Sequence, residues 1–344
     1  MAFVPANGGL IRPDLDGEIR KYSLLTQGAV ALSIFPALVV ENTNGQIPIT
    51  PTAVYSQGIS SAKRGYGGSA IRIEGAQEFL SYDLEEYNLE LALDETKLRG
   101  QTERIRDQAE RQAAELTALH VVRAYEQNTC AYLNNDTNFP PSGTTGVTVG
   151  TAWTDPAADI IGTILTGLDT AEKASGGIRP NTLTISQDLV RPISLNTAVR
   201  ATFAGGNAGR NPTRLTAEQM AEIFRVDRVN IAGMLRNNAS RGLSPVNRRV
   251  WDRQYALLTY TPTNVSPDSF GAEPQFGRTL IHLNQNAPVG GDSLGSQDIL
   301  GMSVVMYERF EGAHNRLIGA MQTALPLAMN IEASFNIKGV MAAE

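Results

Sequence analysis

Residues 94–135 read "DETKLRGQTERIRDQAERQAAELTALHVVRAYEQNTCAYLNN". Leu98, Ile105, Ala109, Gln112, Leu116 and Leu119 recur at spacings of three, four and seven, which puts them on one helical face. Asp94 can cap the start, and Asn134, Asn135 and Asp136 stop the run. About 40 residues at ~1.5 Å each give ~60 Å, far beyond the ~10–14 residues of an ordinary globular helix. The apolar stripe is narrow, and the opposite face is crowded with Arg, Glu and Gln. A coiled coil needs a steady heptad, but here the repeat drifts and Gln112 sits on the seam. The spacing predicts a long spine with a sheet laid against one side.

Upstream, "SIFPALVVENTNGQIPITPTAVYS" (33–56) is rich in β-branched residues, with an Asn-Gly turn at 44–45. "GISSAKRGYGG" (58–68) is small, basic and glycine-rich, as a loop tip is. "SAIRIEGAQEFLSYDLEEYNLELALD" (69–94) returns with alternating stretches in which Ala70, Arg72 and Glu74 face one way and Ile71 and Ile73 the other. The unit reads as a long two-stranded excursion. An isolated hairpin is marginal in water, so it must lie on something. Residues 1–30 have no clear period and read as an extended arm with a short helix near 16–25.

Downstream the texture changes. "TDPAADIIGTILTGLDTAEKASGG" is a helix with Asp155 as cap, Pro156 in the first turn and Gly176–Gly177 at the end. Ile160, Ile164, Leu168 and Ala171 face the core. Residues 181–186 are a strand followed by a short helix, and Thr216 with Gln219 forms a capping box. Residues 227–233, 254–262 and 277–283 are strands, so 151–300 reads as a mixed α/β unit. Residues 302–341 are nearly all strand-like. No repeat of 20–50 residues appears.

Bulk properties exclude several classes. The 344-residue chain is 42% hydrophobic and 19% charged, enough for a real core. Its formal net charge of −6 carries no overall basic footprint for gripping nucleic acid. One cysteine, Cys130, leaves no internal disulfide framework, as expected of synthesis in a reducing compartment. The longest apolar run, 28–40, is too short to cross a bilayer and holds Pro36. "MAFVPANGG" does not read as a secretory signal.

Catalytic patterns fare poorly. "GDSLG" (291–295) matches the G-x-S-x-G elbow, and Asp298 and His314 follow Ser293 in order. An elbow needs a strand before and a helix after its serine. Here a polar, Pro-broken stretch precedes it and a strand follows, and Asp298 is only five residues from Ser293. A glycine-rich turn before a strand is the better reading; a serine hydrolase stays the remote alternative. His120, His282 and His314 share no short spacing, and no Cys pair or phosphate-cradling motif exists. No metal, cofactor or catalytic residue is expected. Lys63, Arg64 and Tyr66 form a basic-aromatic tip that could touch nucleic acid or dock on an acidic neighbour.

The order of parts is arm, long β excursion, very long helix, α/β unit and closing strands. It resembles the major capsid protein of tailed bacteriophages, the Hong Kong 97-type capsid fold also used by encapsulins. "SIFPALVVENTNGQIPI" is similar to the strand entering the family's extended loop. "SAIRIEGAQEFLSYDLEEYNLELALDETKLRG" and the helical run after it resemble the loop's return, an acidic "EEY-x-L-E" joint and the spine helix. "PNTLTISQDLVRPISLN", "LTAEQMAEIFRVDRVNIAGM" and "WDRQYALLTYTP" resemble successive axial elements. "MYERFEGAHNRLIGAMQTALPLAMNIEASFNIKGV" is similar to the closing strands.

The resemblance implies an α+β chain: N-terminal arm 1–48, extended loop 49–93, peripheral domain 94–150 with 301–344, and axial domain 151–300. It implies a non-enzymatic structural protein, made in the host cytoplasm and located in the virion capsid. Copies would assemble as pentamers and hexamers into an icosahedral shell around double-stranded DNA, touched weakly and non-specifically. Portal, scaffolding and decoration proteins are the other implied partners, with no membrane. Contact residues would be Lys63, Arg64, Tyr66, Arg72 and Glu74 on the loop, and Arg104, Arg111 and Glu115 on the spine helix. Some members weld subunits by a Lys–Asn isopeptide bond; Lys63 has no matched asparagine, so non-covalent contacts are expected. The arm opens only about fifty residues before the loop, which points to a separate scaffolding protein. An encapsulin-type compartment is the alternative.

Overall fold

The computed structural model describes residues 10–12, 15, 28–49, 51–55, 78–204, 214–240, 242–262, 275–282, 304–311 and 315–342. Two sheets organise them. The first runs β1 (Leu10–Ile11), β13 (Val305–Glu311), β14 (Asn315–Ala328), β12 (Gly277–His282), β2 (Ala37–Val40), and β5 (Glu85–Asp94) also pairs with β14. Ala324 pairs with both Glu85 and Ile281, so β5 and β12 take opposite edges of β14. At 14 residues, β14 is long enough for β13 and β12 to share one edge end to end.

The second sheet runs β6 (Gly146–Thr148), β15 (Ser334–Lys338), β11 (Tyr255–Thr259), β7 (Thr182–Ser186), β8 (Arg228–Ala232). Helix α5 (Ile160–Ala174) covers it with Ile160, Ile164, Leu168 and Ala171, all fully buried as expected. The parallel pair β7–β8 is joined through α6 (Val190–Leu195), α7 (Thr197–Ala204) and α8 (Ala217–Phe224), as a parallel crossover requires. The Thr216–Gln219 capping box is present on α8. The cap of α5 is Asp159, whose Oδ1 accepts from Gly162 N at 2.9 Å, not Asp155. Asp155 instead closes its own turn onto Ala157 N.

Strand pairing crosses the expected boundaries of the 151–300 unit twice. β15, from the closing stretch, pairs with β11, while β12, from within 151–300, pairs with β14 and β2. Alternation and β-branching mark a strand but carry no record of which distant backbone completes its ladder.

The expected excursion exists at its base. β3 (Asn44–Ile49) pairs antiparallel with β4 (Glu78–Asp83), Asn44 opposite Asp83 and Ile49 opposite Glu78. Asn44–Gly45 therefore opens β3 and is not a hairpin turn. Leu38, Val40, Ile47 and Leu280 bury together at the root, with Tyr82 and Leu84 packed on them. A short helix α2 (Thr52–Tyr55) follows β3. The basic tip and residues 69–77 lie outside the described residues, as do 16–25.

The long run splits. Asp94 caps α3 (Glu95–Leu98), accepting from Thr96 N and Lys97 N at 3.0 and 3.4 Å. The chain turns at Arg99–Gly100 and restarts as α4 (Glu103–Leu133), 31 residues and roughly 46 Å. The expected seam holds only at Leu119. Ile105 and Leu116 are 46% and 43% exposed, and Gln112 faces solvent. The buried face carries Ala113, Ala114, Thr117, Ala118, Val121, Val122 and Tyr125. Small side chains let the helix lie close on β14 and β5, which large ones on the expected seam would prevent.

One buried acid ties α4 to the rest. Glu126 is 1% exposed. Its Oε1 accepts from Val30 N and Ala31 N at 2.8 and 2.7 Å, and its Oε2 from Trp251 Nε1 at 2.7 Å. Val30 and Ala31 open α1 (Ala31–Ile34), and Val30 offers no side-chain cap of its own. The cap comes from another helix instead, satisfying donors a helix start leaves orphaned. Burial pushes the Glu126 carboxyl up to about 7, against the pull of hydrogen bonds from Ala31, Trp251 and Val30. Close by, Gly28 (φ +76°) lies on the backbone of Gly233, where a Cβ would come within 2.7 Å.

Glu126→Ala should cost about 3 kcal/mol or more in urea unfolding, because three buried donors lose their acceptor. Glu126→Gln keeps Oε1 but turns an amide N–H toward the indole N–H, so Trp251→Phe should cost less in that background than in wild type. The folded pKa lies above the unfolded one, so this group's contribution is full below about 4.5 and gone above about 7. The stability of wild type relative to Glu126→Gln should therefore rise by roughly 2 kcal/mol between pH 8 and pH 5. A difference independent of pH would refute the raised carboxyl.

Gly319 in β14 is another position where an added Cβ would meet a close neighbour. The Tyr307 ring crosses it, 2.2 Å from where a Cβ would stand, and Tyr307 Oη reaches Asn88 Oδ1 at 2.5 Å and Glu90 Oε1 at 2.8 Å on β5. Gly319→Ala should lower stability by about 2 kcal/mol or more by expelling that ring. A melting temperature within a degree or so of wild type would show that the ring's position is not held.

Candidate contact surfaces

Catalytic chemistry finds little support among the described residues. Ser293, Asp298 and His314 lie outside them. His282 Nδ1 is 3.3 Å from Val40 O, a backbone contact within the sheet. His120 is exposed on α4; partial burial and then Arg123 lower its pKa. Burial pushes the Cys130 thiol up to about 12, leaving it un-ionised and inert near neutral pH. No group of three or more His, Cys, Asp or Glu that could hold a metal occurs among the described residues. No described helix is long and apolar enough to cross a membrane.

Arg12, beside β1, bonds Glu308 Oε2 on β13 at 2.5 Å and lies 3.6 Å from Glu110 on α4. Arg316 on β14 bonds the same two acids. Burial works to raise the Glu308 carboxyl, but bonds from Arg316 and Arg12 outweigh it and hold it below the usual range. All four side chains are less than one-fifth exposed, so solvent screens them less than a surface pair. This network docks the start of the chain onto the long helix and the first sheet together.

Of the expected contact residues, Lys63, Arg64, Tyr66, Arg72 and Glu74 lie outside the described residues. Arg104 and Arg111 are exposed on the first turns of α4, where they line a shallow groove with Glu103, Asp107 and Gln108. Glu115 is half-buried, one turn further on.

Other surfaces had not been singled out. Glu78–Asp83 and Glu85–Asp94 run on as one extended edge, exposing Phe79, Leu89 and Leu91. Leu10 and Phe310 are exposed together at the β1–β13 edge. A small hairpin, β9 (Leu235–Asn237) and β10 (Asn247–Arg249), exposes Leu235, Val246 and Leu243, the last 70% open. At its root a cleft of about 670 Å³ is lined by Arg123, Arg214 and Arg249 beside Met234 and Leu235. Arg249 bonds Asp188 Oδ1 at 3.3 Å and the Gly233 carbonyl. Residues 225–253 hold seven Arg against two Asp in a chain of net charge −6, a local reversal that was open to view in the sequence.

The described residues thus form an α+β chain with two sheets, a long helix and open strand edges. Solved structures share this arrangement, although no family model and no curated protein matches the chain. A phage-related protein from Bordetella bronchiseptica RB50 superposes with a TM-score of 0.66 at 16% identity, over 96% of this chain and 98% of that one. The virus-like particle of Pyrococcus furiosus gives 0.52 at 12% identity, over 95% and 98%. The capsid of a native GTA particle gives 0.50 at 12% identity, over 93% and 91%. The chain has the fold of phage capsid proteins.

Arg12→Ala should free the first strand without unfolding the protein. Amide exchange at Arg12, whose N–H donates to Met306 O at 2.9 Å, should accelerate at least tenfold while α5 stays protected. Unchanged exchange would mean the charge network does not hold the arm.

Proposed function

We propose that this protein is the major capsid protein of a tailed bacteriophage, with the Hong Kong 97-type fold. Copies associate non-covalently into pentamers and hexamers that close into an icosahedral shell around double-stranded DNA. The observation that carries this reading is the fold shared with the capsid of a native GTA particle over 93% of the chain. The open strand edges and exposed apolar side chains outside the two cores add support, because a lone copy leaves them wet.

In this reading 1–48 is an arm, 49–93 the extended loop, 94–150 with 301–344 the peripheral domain and 151–300 the axial domain, with β12 and β15 each crossing to the other domain's sheet. The loop lies across a neighbour through Lys63, Arg64, Tyr66, Arg72 and Glu74, while Arg104, Arg111 and Glu115 on α4 receive it. Such contacts are heterologous and close by rotation. The net charge of −6 suits a lining that lets DNA slide, because tight phosphate contacts need a basic footprint. Portal, scaffolding and decoration proteins are the partners of such a shell, and no reaction is assigned to the chain.

Expression alone or with the phage's scaffolding protein should give closed shells in electron micrographs. Deleting 60–67 should leave folded subunits that assemble poorly. Normal shells from the deletion would remove the loop from the contact. Shells packed with a cargo enzyme, and no DNA in the infectious particle, would favour a protein compartment.

A further inference from the structure

Charge in this chain is sorted by element. Residues 78–95 contain seven acids, Glu78, Asp83, Glu85, Glu86, Glu90, Asp94 and Glu95, and no Lys or Arg. They lie on β4 and β5 and the first residue of α3, an extended edge of ~55 Å at ~3.3 Å per residue. Within the chain, Glu90 is matched by Arg309 at 2.6 Å and Asp94 by Lys97 at 3.5 Å. Glu78, Asp83 and Glu86 are exposed.

The β9–β10 hairpin has the opposite character. Arg236 stands directly opposite Arg248 in its ladder, with Arg249 next along. Like charges at opposed positions concentrate positive charge on this two-stranded ribbon. Arg236 Nε is buried with no hydrogen-bond partner among the described residues. Below the hairpin the cleft adds Arg123 and Arg214, and Arg123 Nε is likewise buried and unbonded among the described residues.

We infer that the basic β9–β10 hairpin of one copy docks on the acidic β4–β5 edge of a second copy, forming a heterologous contact. The inference rests on the self-assembly reading and names one of its interfaces. Two observations select a second copy as the occupant. The two surfaces are complementary in charge and belong to different elements, so each copy offers one of each, as a head-to-tail contact demands. Both also expose apolar side chains, Phe79, Leu89 and Leu91 on the edge and Leu235, Leu243 and Val246 on the hairpin, which give such a contact area to bury. Charge sets the pairing and the rate of encounter, and the apolar groups hold it.

The test is a charge swap. Arg236→Glu/Arg248→Glu reverses the hairpin, and Glu78→Lys/Glu86→Lys reverses the edge. Each variant alone should need about 100-fold more protein than wild type to assemble at low salt, by light scattering and sedimentation. Mixing the two should restore association, because both contacts between unlike copies are then complementary. Circular dichroism and thermal melting check folding, and Leu243→Asp at the exposed tip weakens the contact without touching the arginines. Wild-type assembly by either reversed variant, or no recovery on mixing two folded variants while wild type assembles, overturns the interface. A wild type that never self-associates overturns the assembly reading itself.

Discussion

A carboxylate with no cation beside it among the described residues ties the described structure together. Glu126 is buried in the last third of α4, where transfer from water disfavours its charge. Only three converging N–H donors make the site tolerable, and they come from two distant parts of the chain. Capping α1 fixes the direction of the chain toward β2, which pairs with β12 and carries the root of the β3–β4 excursion. The bond to Trp251 fixes the approach to β11 in the second sheet. One side chain thus sets how the long helix, the N-terminal segment and the second sheet meet. An apolar residue would pack there but would leave those donors unsatisfied.

Near this centre Thr279 ties three elements together. Tyr125 Oη and the Phe35 carbonyl both meet Thr279 Oγ1, at 2.7 and 2.8 Å, and Phe35 stacks on Phe276 at 5.1 Å between centroids. The rim differs. Strand edges, apolar side chains and segregated charge are left facing water, an arrangement stable for a lone copy but poor at excluding neighbours. Rigid centre and open rim are two halves of one design. In the proposed shell, each subunit keeps its shape while its outlying parts are completed by others.

Much of the local structure was legible. Period-3.6 spacing marked α5, and every core position it named is buried, because a helix on a sheet needs one continuous apolar stripe. The capping box at Thr216 was equally plain, being a contact between residues three apart. The seam of α4 was misjudged because large side chains weigh most in a periodicity, whereas close packing on a sheet selected Ala113, Ala114 and Ala118. Helix α1 went unseen because its cap lies on another element, 95 residues away. The hairpin's arginines were visible as a charge reversal, but their placement opposite one another needed the strand register.

The amino-acid sequence alone determined the helices α5 and α8, the caps Asp94 and Thr216, the strand character of β7, β8, β11 and β12, how charge is sorted along the chain, and the capsid-like order of parts. Those properties depend on neighbours a few residues apart. Tertiary structure alone decided that β15 joins β11, that β12 joins β14, that Glu126 caps α1, and that Tyr307 crosses Gly319. Each of these is a pairing between residues far apart in the chain, and backbone donors and acceptors are alike in every residue but proline. Local pattern cannot choose among identical partners; only the folded chain, by bringing one pair together and excluding the rest, makes the choice.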